Sequence, residues 1–250
     1  MKRVLSLLVL LLFIINVVSG CSLENKLQRN SNNIEKEIQK NGGVSVILKM
    51  DDTNENKPTD IELETVKSII TYRLHEMGFM NNSISVDDKG EIIVNLTDYK
   101  ELKDDKLQQT LDNIFKRGLL TVQEIDESKK DSNGLYLSTG KVIFSSKEIL
   151  KADSYDGKDG KTNIQIKLNN EAAINFEKAT ERLIGKPLGI FMDDKLISAP
   201  TVATKITGGN LVIAGQKDKN DTLNMVITIR SGVLPFKLVT KEIKTISPAN

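Results

Sequence analysis

The residue best placed to carry chemistry is Cys21, the only cysteine among 250 residues. It follows a basic start (Met1, Lys2, Arg3), an almost wholly apolar run from Val4 to Ile15, and the small residues Ser19 and Gly20. That order marks a secretory leader with a cut site after Gly20. Chemistry elsewhere in the chain is sparse. His75 is the only histidine, and no serine, cysteine or acid can be argued to complete a catalytic set with it. The pairs Asp51-Asp52, Asp87-Asp88 and Asp193-Asp194 could offer carboxylates to a metal, but none has the oxygen-ligand spacing of a calcium loop. All three fall at strand ends or turns, where Asp is favoured for local hydrogen bonding. Gly42-Gly43 and Gly208-Gly209 could suggest phosphate cradles, which need a glycine loop opening directly into a helix. Both pairs lead into strands and read as backbone turns. No active site assembles, no cofactor is implied, and an enzyme is not expected.

Two other readings of Cys21 are disfavoured. No second cysteine exists to pair with it in the chain, and polar residues follow it. The apolar run is broken by Asn16 and is shorter than the roughly 18–20 residues that span a bilayer. Without residues 1–20 the chain has 33 basic and 34 acidic side chains. That balance gives no support for nucleic-acid binding, which calls for a basic face.

The elements that position these residues follow from periodicity. Residues 22–41 are polar and rich in Asn, Glu and Lys, with sparse Leu23, Leu27, Ile34 and Ile38. They read as a flexible tether of about 25 Å end to end. Val44, Val46 and Leu48 alternate as a half-buried strand. Thr59 to Glu62 form a capping box, and Ile61, Val66, Ile69, Ile70, Leu74 and Met77 follow at helical spacing up to Gly78. Ile84 and Val86, a turn at 87–90, then Ile92, Val94 and Leu96 read as a hairpin. Leu107, Leu111, Ile114 and Phe115 mark a second helix before Gly118. Leu120 and Val122 begin another strand. The order β-α-β-β-α-β is the ferredoxin-like split arrangement, within an α+β chain. Residues 126–162 read as polar and turn-rich, with 153–161 an exposed loop. A second α+β segment follows. It has a strand at 164–168, a helix capped by Asn170, a hairpin turning at Asp193-Asp194, a strand after Gly208-Gly209, a helix at about 221–229 and a final strand through Leu238 and Ile243.

Two resemblances rest on specific residues. Val18-Ser19-Gly20-Cys21 resembles the lipobox of bacterial lipoproteins, which implies a thioether from Cys21 to diacylglycerol and a mature N-terminus at that residue. The chain from 42 to about 248 resembles SecD and SecDF translocon proteins. The resemblance is carried by 168–180, by 185–194 with Ile197 to Pro200, by Ile206 to Gly209, by 213–215, and by Arg230-Ser231-Gly232-Val233-Leu234-Pro235-Phe236. Upstream, Gly42-Gly43 and Tyr72-Arg73-Leu74 are similar to the family's glycine pair and first helix.

The resemblance implies a layout. Residues 1–20 would be the signal peptide and 21–41 the lipidated cysteine and tether. Residues 42–125 plus 232–250 would form a ferredoxin-like base, completed by a strand after the head, and 126–231 an inserted α+β head. It also implies binding of unfolded secretory polypeptides, contact with translocon subunits, and a head that swings against the base. The polypeptide surface would involve Asp193, Asp194, Ala199, Pro200, Thr201, Gly208 and Gly209. The hinge would lie at 125–130 and at Arg230, Ser231 and Gly232. The departures are as informative. No membrane helix flanks the domain, the family's membrane acids have no counterpart, and Gln216 stands where an aromatic is usual. The expected protein is a non-catalytic, membrane-anchored lipoprotein outside the cytoplasm that assists translocation or early folding. The alternative is an envelope adaptor for one protein or wall partner.

Overall fold

A computed structural model of the chain describes residues 33–34, 36–51, 57–97, 104–158, 160–214 and 218–248. Cys21 and residues 1–20 lie outside the described residues. The chain divides into two compact units. The first holds β1 (Gly43–Met50 but for its last residue), β2 (Asn82–Val86), β3 (Ile92–Leu96) and all but the first residue of β11 (Leu238–Ile246). Their sheet has the order β11-β1-β3-β2. Alternation decides the faces: Val44, Val46 and Leu48 on β1, with Ile92, Val94 and Leu96 on β3, are buried. The pairs Val44↔Leu96 and Leu48↔Ile92 fix the antiparallel register. Asp87 closes the β2–β3 hairpin by accepting from the N–H groups of Lys89 and Glu91, both at 2.9 Å.

The tether expected over 21–41 does not hold at its C-terminal end. Residues 33–34 and 36–41 are helical, and Ile34 and Ile38 are buried. Gly43 is the reason this packing is possible, since a Cβ there would lie 2.7 Å from Ile38.

The second unit holds α1 (Asp60–Glu76), α2 (Asp104–Phe115), β4 (Leu120–Lys130), β5 (Tyr136–Ser145), β6 (Ile149–Asp156), β7 (Thr162–Leu168), α3 (Asn170–Arg182), β8 (Leu188–Met192), β9 (Lys195–Ser198), β10 (Asn210–Ile213) and α4 (Lys219–Ser231). Two sheets form, with orders β5-β4-β8-β9 and β10-β7-β6. They share one core with α3 and α4, built from Val122, Phe144, Ile164, Ile166, Phe176, Ile190, Met225 and Ile229 among others. Phe144 and Phe176 meet edge to face at 5.4 Å. Truncation of a buried Phe such as Phe176 costs about 3–5 kcal/mol. Helix α3 presents Ala172, Phe176 and Ala179 on one face, and Asn169, rather than Asn170, caps it by accepting from Ala172 N at 2.9 Å. At α1 the capping box between Thr59 and Glu62 forms in full. Ile61, one residue after the helix start, stays 81% exposed.

The structure differs from the periodicity in two places. The sixth element of the split arrangement is β11, not the strand starting at Leu120. That strand pairs with β8 (Leu120↔Met192 to Glu124↔Leu188) and with β5, and it runs unbroken through position 125. Residues 126–156, read as turn-rich with an exposed loop from 153, contain the end of β4 and all of β5 and β6. Both β5 and β6 are edge strands with polar outer positions, so they lack a clean alternation.

Candidate functional site

The polar centre of the second unit is Arg73. It sits on α1 in line with Val66, Ile69 and Ile70, and it is fully buried. Its guanidinium donates to Ser231 Oγ (2.8 Å), Ile114 O (2.8 Å), Lys116 O (2.5 Å), Gly232 O (3.0 Å) and Arg117 O (3.5 Å). Burial pushes the arginine down to about 10, and the Asp193 carboxylate partly offsets this. One side chain therefore holds the end of α2 and the end of α4.

Asp193 works on the same loop from the other side. Its carboxylate accepts from Gly118 N (3.0 Å) and Leu119 N (2.8 Å), and its own N–H donates to Leu119 O (3.0 Å). The loop thus gives the Lys116 and Arg117 carbonyls to a cation and the Gly118 and Leu119 N–H groups to an anion. Gly118 permits the close passage: at φ 82°, a Cβ would lie 2.6 Å from Arg73 Nη2. Lys116, next to this centre, is pushed down to about 8 by burial first and by Arg73 second, with Asp193 and Asp221 pulling the other way.

The residues expected on a polypeptide surface do not converge. Asp193 and Asp194, at φ 48° and 66°, make the two-residue turn between β8 and β9. Asp193 is half-buried and Asp194 exposed. Ala199, Pro200 and Thr201 lie at the far end of the same hairpin, about 16 Å away along β8 at ~3.3 Å per residue. There Pro200 O accepts from Leu188 N at 2.9 Å, and Thr201 bridges Pro187. Ala199 is half-buried, while the Pro200 and Thr201 side chains are exposed. Gly208 and Gly209 belong to the other sheet, where they turn the chain into β10 with φ 70° and 65°. Gly209 is buried against α3; a Cβ there would lie 2.5 Å from that of Ala173.

The expected hinge is the best connected of the sequence-picked segments. Ser231 and Gly232 both accept from Arg73. Arg230 leaves α4 in another direction, with Nε donating to Ala152 O at 2.6 Å and Nη2 to Asp153. Beside it runs an open groove of about 440 Å³, lined by Tyr72, residues 149–153, Ile229 and Arg230. Residue patterns do not mark Arg73 as a hub. The signal was a charge on an apolar stripe, three residues after Ile70 and seven after Val66.

No group of three or more His, Cys, Asp or Glu among the described residues could hold a metal ion. His75 is exposed. No helix among the described residues is long and apolar enough to cross a membrane.

Known proteins are similar to this arrangement. Residues 121–236 match the SecDF P1 head subdomain family. Over 215 residues the chain is 31% identical to the protein translocase subunit SecD of Acidaminococcus fermentans, covering 86% of this chain and 47% of that protein. It is 25% identical over 227 residues to the protein translocase subunit SecDF of Thermus thermophilus, covering 83% of this chain and 30% of that one. The chain thus spans about half or less of the length of the curated relatives it matches. Among solved structures, SecDF in its super-membrane-facing form superposes with a TM-score of 0.68 at 23% identity, over 83% of this chain and 31% of that one. A chain of SecDF, described as a membrane component that enhances protein export, gives 0.64 at 22% identity, over 80% of this chain and 99% of that one. These likenesses fix the fold as that of the SecDF P1 domain. In it, β11, lying after the head, completes the ferredoxin-like sheet.

Proposed function

We propose that this chain is a non-catalytic, lipid-anchored extracytoplasmic domain that binds exported polypeptides. It would assist their translocation or early folding at the outer face of the membrane. The observation that carries this reading is the match of residues 121–236 to the SecDF head, inside a likeness that reaches across 86% of the chain. Cys21 would supply the anchor, through two acyl chains that each bury many methylenes at about 0.8 kcal/mol apiece. Asp194, Pro200 and Thr201 are the expected contact residues whose side chains stay available to a client. Asp193, Gly208 and Gly209 serve the scaffold in this reading, with Ala199 half-buried between the two roles. A swing at Arg230 to Gly232 would have to loosen the Arg73 bonds.

Crosslinking in living cells followed by co-purification tests the reading. Recovery of translocon subunits together with varied secretory precursors is the expected result. A single stoichiometric envelope protein would replace it with the adaptor reading. Labelled palmitate should be incorporated by the parent chain and lost from Cys21→Ala; label that survives the substitution would remove the anchor.

A further inference from the structure

We propose that the outer edge of β6 is a pairing site for an extended polypeptide segment, and that Arg230 is the plug that occupies it in the free protein. The proposal rests on the polypeptide-binding reading above and names where and how the client is held.

Backbone parity makes the argument. Leu168 N donates to Gly209 O at 2.9 Å, so the even-numbered residues of β7 turn their N–H and C=O groups toward β10. The odd-numbered ones turn toward β6. Two bonds agree, with Asn169 N donating to Glu148 O at 2.9 Å and Gly157 N to Lys161 O at 2.7 Å. The register is Lys151↔Lys167, Asp153↔Gln165 and Tyr155↔Asn163. These three β6 residues therefore spend their backbone groups on β7. Ala152, Ser154 and Asp156, opposite Ile166, Ile164 and Thr162, turn theirs outward. No strand pairs with that side of β6 among the described residues.

Arg230 marks the position of a missing partner. Its Nε donates to Ala152 O, which is one of the outward carbonyls, and its Nη2 reaches the neighbouring Asp153. A side-chain N–H on an edge carbonyl stands where the N–H of an added strand would stand. The adjoining groove offers apolar walls from Tyr72, Ile229 and Leu150, the last 68% exposed. Its rim carries Lys151 and Asp153, one charge of each sign. Alternating outward donors and acceptors recognise backbone, so pairing tolerates any extended sequence and rejects a folded one. A rim with both signs adds no strong charge preference. An edge left open would also invite self-association. A cation that caps it, yet is held at the end of a helix rather than by covalent closure, protects the edge and can leave it.

The test uses the full chain and two fluorescent ten-residue peptides of alternating Val and Thr. One peptide is unmodified. The other is N-methylated at every residue, which removes the donors from both of its edges. A reduced, carboxymethylated unfolded protein serves as a third probe. The unmodified peptide should bind the parent, and bind Arg230→Ala several-fold more tightly. Ser154→Pro removes only an outward N–H, as edge strands tolerate, and should weaken binding about tenfold or more while melting unchanged. The methylated peptide should not bind. Equal binding of both peptides to the parent overturns the edge proposal even if Ser154→Pro fails to fold. In that case capture of the unfolded protein would leave the polypeptide-binding reading standing. Failure to capture any of the three probes would overturn both.

Discussion

At the scale of single residues, Arg73 and Asp193 make the sharpest demands. Replacing Arg73 by Met would take the donor from the buried carbonyl of Ile114 and from the partly buried one of Lys116. Chemical denaturation should show a loss of about 3–5 kcal/mol. Arg73→Lys should recover little of it, because an ammonium cannot spread donors across acceptors on α4 and on the 114–117 segment. Lys116 gives a pH signature. Its folded value, about 8, lies below the ordinary 10.5, so the unfolded chain binds more protons between those values. Stability of the parent should therefore rise with pH through that window. Lys116→Met should be the more stable chain at pH 7, and the gap in urea midpoints should close between pH 8 and about 10.5. A constant gap across that range would show that burial does not hold this amine down. Arg73 was legible in the sequence only as an inconsistency, a charge on the apolar stripe of α1. Its acceptors, more than 40 residues away, were not legible at all, because carbonyl positions leave no mark in residue types.

At the scale of elements, the turn between β8 and β9 separates two roles carried by one residue type. Asp194 is exposed in the left-handed region, so Asp194→Gly should leave the melting temperature unchanged or raise it slightly. Asp193→Ala should cost about 2–3 kcal/mol, since it strips partners from Gly118 N and Leu119 N. Equal effects at the two positions would mean that the carboxylate staple carries no energy. The turn itself was readable from the sequence, as were the capping box at Thr59, the β2–β3 hairpin and the face of α3. These are local, and residue chemistry at fixed spacing decides them. The choice between the strand at Leu120 and β11 as the closing strand of the base could not be made that way. Both alternate acceptably, and partnership is a matter of sequence-distant pairing; the family resemblance supplied it instead. Strands β5 and β6 were missed because an edge strand keeps polar residues on positions that a central strand would fill with Val or Ile. The expected contact set scattered for the same reason. Glycines and prolines conspicuous in a sequence mark where backbone must bend, and such places lie at the ends of different strands.

At the scale of the whole molecule, the proposed role is that of a holder rather than a motor. Holding an extended client needs only an open strand edge and an anchor, both of which belong to the proposed reading. Deleting the chain from a cell should slow maturation of secreted precursors without abolishing export. Restoring it with Cys21→Ala should correct the defect poorly, as read by pulse labelling. Full correction by that variant would show that the domain acts without an anchor.

The sheet order β11-β1-β3-β2 also sets a timetable. A chain delivered N-terminus first presents β1 long before β11, which follows roughly 190 residues later, and long-range pairing of that kind is slow to form. The second unit draws no residue from beyond Leu238, whereas β1, already beside β3, has an open edge until β11 arrives. A chain stopped after Lys237 should keep slow amide exchange in β7 and α3 and lose it in β1. The sheet of the first unit is thus the last part to mature, and β11 works as its latch.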